Sequence, residues 1–78
     1  MMTTKLTKNE RQVIFDYLTY WMNEYNLDQL DMLRCTDMFN HLEEKFTKEL
    51  MLKNPRLLTN IVVVGYVIDR ANKSKEED

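Results

Sequence analysis

Cys35 and His41 are the single cysteine and the single histidine of the 78-residue chain. Together they could form a thiolate–imidazole pair, nucleophile beside base. Their spacing argues against it. Six positions apart in a segment read as helical, they turn to different sides and would have to meet across elements. Cys35 shares the angular sector of Phe39, Leu42 and Phe46, which reads as a buried thiol acting as a small hydrophobe. His41 falls near Glu44, Lys45 and Lys48, the solvated side of the same helix. A structural zinc site takes four ligands, usually Cys or His, and no further ligands stand at a recognisable spacing. A phosphate-cradling loop needs several glycines, whereas Gly65 is the only one. Asp28/Asp31 and Glu43/Glu44 read as ordinary helix-surface charges. Acid–base catalysis needs two acids whose environments drive their pKa values apart. The expectation is a protein without catalytic, cofactor-binding or metal-binding residues and without a small-molecule substrate.

Charge excludes little else. Eleven basic and thirteen acidic residues leave a net charge of −2, which is no electrostatic footprint for nucleic acid. The longest apolar run, Ile61 to Ile68, is far short of the roughly 20 residues needed to span a bilayer. One cysteine permits no internal disulfide, and the opening MMTTKLTKNER is polar where a signal peptide would be apolar. Both point to a reducing, cytoplasmic setting. A chain of this size buries only about 60% of its unfolded surface, so a partner subunit is a natural supplement to its core.

The elements that carry these residues read as all-α, a small bundle of three main helices. Thr7 and Glu10 match a capping box, and Ile14, Leu18, Trp21 and Tyr25 then recur at helical spacing, predicting a helix over 8–25. Val13 and Tyr20 form a second sector that covers a neighbouring helix or stands singly exposed. Asn26 tolerates the left-handed conformation that ends a helix. Asp28 could cap a short helix over 28–34, which is otherwise the start of the next one. Thr36 is the expected cap of a second long helix over 37–52, with Phe39, Leu42, Phe46 and Leu50 inward and Glu44–Lys48 as an i,i+4 pair. Asn54–Pro55 is the clearest break, opening a helix over 55–72. The β-branched run at 61–68 also suits a strand, but its length and its lack of a pairing partner favour helix. Residues 1–6 read as a flexible arm, 7–72 as one domain and 73–78 as a charged tail.

The last helix is apolar nearly all round. Its projection assigns Leu57, Ile61, Val64, Ile68 and Ala71 to the core, with Gly65 at a tight helix crossing beside them. Val63 and Val67 form a second stripe, and Thr59, Val62, Tyr66 and Arg70 face away. Such a helix is either buried at the centre of its domain or shared with a partner; two other long helices can hardly wrap it completely, so part of it is expected to meet a partner. Tyr and Arg are enriched at binding hot spots. The expected protein interface is therefore Thr59, Val62, Val63, Tyr66, Val67 and Arg70. The expected function is that of a small interaction or regulatory protein binding another protein, or a second copy as a homodimer. The alternative is a helix-turn-helix nucleic-acid binder, with Arg56, Thr59 and Asn60 reading bases and Lys48, Lys53 and Arg56 on phosphates. The apolar character of the final helix argues against that alternative.

Overall fold

A computed structural model describes residues 5–76, and among these it contains four helices and no strand: α1 (Lys8–Glu24), α2 (Gln29–Lys45), α3 (Lys48–Lys53) and α4 (Pro55–Glu76). The fold is all-α, a small helical bundle. The strand alternative for 61–68 is overturned, because α4 is helical from Pro55 through the entire β-branched run.

Local chemistry sets most of the helix ends. The Glu10 N–H donates to Thr7 Oγ1 at 3.2 Å, and the Thr7 N–H donates to Glu10 Oε1 at 2.9 Å. The capping box of α1 is therefore complete. Glu10 also meets Lys48 Nζ at 3.1 Å, tying the start of α3 to the start of α1. These hydrogen bonds, the Thr7 backbone first, hold the Glu10 carboxyl below its ordinary pKa. At the other end of α1, Asn26 is left-handed with φ 55°. The Leu27 N–H reaches Met22 O at 3.1 Å and the Asn26 N–H reaches Asn23 O at 3.1 Å, the two bonds of a Schellman stop. Leu27 and Met22, brought together by that stop, both enter the core.

The middle of the chain departs from the sequence expectation. Asp28 caps α2 by accepting from the Asp31 N–H at 2.8 Å. The helix then runs uninterrupted through Cys35–Thr36–Asp37, so residues 28–34 are not a separate helix. Thr36 is no cap, since its hydroxyl donates back to Met32 O at 2.8 Å. The expected helix over 37–52 is instead broken at Phe46, whose φ −96°, ψ 151° is extended. Thr47 restarts the chain as α3 by accepting from the Leu50 N–H at 3.2 Å. The break removes the Glu44–Lys48 pairing geometry and shifts the phase of the apolar residues. Met51 is buried and Leu50 is not. Asn54 caps α4 through Leu57 N–H at 3.2 Å, with Pro55 at the first helical position, where its missing N–H costs nothing. Helix α4 continues to Glu76, past the expected end at Asn72 and into the segment read as a tail, with Lys73 and Asp69 paired at 3.4 Å one turn apart. Of the expected arm, residues 1–4 lie outside the described residues, as do 77–78 of the tail. Leu6 packs on the core.

The core is built from one face of each helix: Ile14, Leu18 and Met22 of α1, Cys35 and Phe39 of α2, Met51 of α3, and Val62, Val63 and Tyr66 of α4. Helix α4 lies chiefly on α1 and secondarily on α2. Phe15 meets Phe39 edge-on at 5.1 Å, joining α1 to α2. Trp21 is half-buried beneath the start of α4, donating from Nε1 to Arg56 O at 3.2 Å while the Arg56 guanidinium lies 5.8 Å from its ring centroid. Among the described residues no helix is long and apolar enough to cross a membrane.

Candidate functional site

Helix α4 is turned half a revolution from its expected orientation. Of the six residues expected at an interface, Thr59, Val62, Val63 and Tyr66 are buried, Val67 is half-buried, and only Arg70 is exposed. The first five are core or core-edge residues of the chain. The physical reason lies in polar satisfaction and shape. Asp31, read as a surface charge, is in fact buried on α2. Tyr66 Oη donates to its Oδ1 at 2.5 Å, and Arg70 Nη1 pairs with its Oδ2. A buried carboxylate without such donors would be strongly unfavourable, and this orientation of α4 brings them. Thr59 can be buried because its hydroxyl donates into its own helix, to Pro55 O at 2.8 Å. The compact Thr59, Val62 and Val63 side chains then let α4 settle closely on α1.

The same rotation sends the expected core stripe outward. Leu57, Ile61 and Ile68 are 53, 57 and 55% exposed, Leu50 of α3 is 52% exposed, Val64 is half-buried and Ala71 is exposed. At α4 positions 57, 61, 64 and 68 these side chains share one helical face, about 17 Å long from Leu57 to Ile68 at helical rise. At its N-terminal end the face opens into a groove of about 450 Å³ lined by Phe46, Leu50, Leu57, Leu58 and Ile61 with Lys53 and Asn54 at the rim. Gly65 lies on the same side and is exposed. A Cβ added there would have nothing within 4 Å, so the helix crossing expected at Gly65 is not made among the described residues.

A second apolar trough, about 520 Å³, is lined by Val13, Asp16, Tyr17, Tyr20 and Arg56. Val13 and Tyr20 are exposed there, not covered by a helix. Asp16 and Arg56 make that trough partly charged, whereas no charged residue interrupts the α4 stripe between Leu57 and Ile68.

The remaining chemistry-bearing residues are separated. Cys35 is completely buried, and its thiol is pushed up to about 11, by burial first and by the Asp31 charge second. It is a protonated core thiol at neutral pH, without the electropositive, accessible surroundings of a reactive one. His41 is exposed on α2. Among the described residues no group of three or more His, Cys, Asp or Glu is placed to hold a metal ion. The helix-turn-helix expectation loses Thr59, which is completely buried, and Lys48, which is engaged by Glu10. Arg56 and Lys53 remain exposed.

Sequence reasoning found both apolar faces of α4 but placed the outward one in the core, and it read the buried Asp31 as a surface charge. Comparison with protein-family models, with curated proteins and with solved structures finds no match to the chain.

Proposed function

We propose that the chain is a small, non-enzymatic interaction protein of regulatory type that docks on protein through the outward face of α4. Leu57, Ile61, Val64 and Ile68, continued by Leu50 and the Phe46 groove, carry this reading. Scattered apolar residues are normal on any surface, but a contiguous one-face stripe running into an apolar groove marks an interaction site. Burying one of these side chains fully is worth about 1.5–3 kcal/mol, so the stripe represents substantial unrealised stabilisation in the isolated chain. The occupant is another protein or a second copy of this one. The single, buried Cys35 accords with a reducing, cytoplasmic setting.

The test is a photo-crosslinking amino acid placed at Ile61 in the cell of origin, with the exposed Asp37 of α2 as the control position. Protein adducts at position 61 and none at 37 are expected. Equal labelling at both, or none at 61, would remove the reading.

A further inference from the structure

We infer that the cleft between α2 and α4, with Tyr66 at its floor, binds a phosphate monoester through Arg34 and Arg70 with Lys73. The cleft is about 270 Å³ and is lined by Arg34 of α2 and by Tyr66, Asp69, Arg70, Lys73 and Ser74 of α4. It lies on the α2 side of α4, away from the Leu57–Ile68 stripe, so it does not depend on the docking reading above.

Charge is the first observation. The chain carries 11 basic and 13 acidic residues, yet this cleft gathers three cations against Asp69 and the Asp31 carboxylate behind it. Arg34 leaves the balance positive, because none of the ion pairs among the described residues includes it. It faces the Tyr66 hydroxyl, whose pKa Asp31 and burial raise and Arg34 pulls back. Tyr66 gives its own proton to Asp31, so its oxygen is left as an acceptor that holds Arg34 at the cleft.

Donor supply is the second. Arg70 spends Nη1 on Asp31, which anchors the guanidinium and leaves its other nitrogens for a ligand. Lys73 meets Asp69 at 3.4 Å with both side chains largely exposed, a pair worth little and readily exchanged. Ser74 adds a hydroxyl. Two guanidinium forks and an ammonium exceed what the two oxygens of a carboxylate can use. They match the three terminal oxygens and nearly double charge of a phosphate monoester. Sites for drug-sized ligands begin near roughly 300 Å³, so this cleft takes the phosphoryl head and its nearest atoms, and the rest of the ester stands in solvent.

The test is an NMR titration of the full chain at neutral pH and fixed ionic strength, with phenyl phosphate as probe and benzoate as the carboxylate on the same ring. Phenyl phosphate should shift the Arg34 and Arg70 Nε–H resonances to saturation. The Kd should be on the order of 1 mM or tighter, as about ten ligand heavy atoms support. Benzoate should bind about tenfold more weakly or worse. Arg34→Gln should weaken phenyl phosphate about tenfold or more and keep its melting temperature, since Arg34 is exposed. Arg34→Lys should recover only part of the loss, because an ammonium lacks the fork. Lys45→Gln removes an equal charge at the exposed end of α2 and should leave binding unchanged. The wild-type resonances carry the result even if Arg34→Gln proves unstable. A peptide with one phosphotyrosine separates the sources of the group: binding tighter than phenyl phosphate assigns it to a phosphorylated protein, and equal binding to a free ester. Shifts that rise without saturating, benzoate binding as tightly as phenyl phosphate, or Lys45→Gln losing as much as Arg34→Gln overturns the inference.

Discussion

Tyr66 of α4 donates its phenolic hydroxyl to the buried Asp31 carboxylate of α2 at 2.5 Å, across 35 positions of sequence. Arg70, one turn further along α4, takes the other carboxylate oxygen. This three-residue junction decides which side of α4 faces inward.

Removing the acid or its buried donor should therefore cost more than removing Arg70. Asp31→Ala leaves the Tyr66 hydroxyl without its partner and should cost about 2–3 kcal/mol by chemical denaturation. Tyr66→Phe leaves the buried carboxylate one donor short and should cost about 1.5–3 kcal/mol. Arg70→Ala should cost less than about 1 kcal/mol, because its side chain is largely exposed and solvent screens the pair. A double-mutant cycle between Asp31 and Tyr66 should show coupling. Additive losses would contradict the junction.

The two faces of α4 should respond oppositely to truncation. Val63→Ala, in the core, should destabilise the monomer by about 2 kcal/mol. Ile61→Ala and Ile68→Ala should each stay within about 0.5 kcal/mol in monomer conditions. Urea titration at low protein concentration checks this. A large loss at Ile61 with none at Val63 would restore the opposite orientation of the helix.

Alkaline pH should weaken the fold. The Tyr66 phenol is held above its ordinary pKa, chiefly by donating to Asp31 and then by burial, and the Cys35 thiol is raised from 9.0 to about 11. Both are raised in the folded state, so the native chain holds these protons more tightly than the unfolded one. Their contribution is complete below the unfolded pKa values and is lost as pH rises through the folded ones. The melting temperature should fall from about pH 9 upward. In Cys35→Ala the part of that fall between pH 9 and 11 should be shallower than in wild type.

Cys35 should resist alkylation in the native state at neutral pH. It is completely buried and its thiol is protonated. Modification by iodoacetamide should follow the unfolding transition in denaturant, and labelling at the free-thiol rate without denaturant would show that the core opens.

Thr47→Ala should cost about 1 kcal/mol through the lost cap of α3. Circular dichroism melts would detect it.

Several helix starts and stops were legible in the sequence from local signals. Thr7 with Glu10, Asn26, and Asn54 with Pro55 act through hydrogen bonds or backbone dihedrals within a few residues, so their types and spacing suffice. The break at Phe46–Thr47 was not legible. Phe46 continues the apolar spacing of Phe39 and Leu42, and periodicity alone does not mark one extended residue. The all-α class followed from spacing and length. The facing of α4 did not, because both of its sides are apolar and a helical projection cannot rank Leu57, Ile61 and Ile68 against Val62, Val63 and Tyr66. The tertiary structure decided it. The buried Asp31 takes its donors from the buried Tyr66 and the exposed Arg70 of α4, and the compact Thr59–Val63 surface fits against α1. These are contacts between residues tens of positions apart, whose energies no local pattern contains.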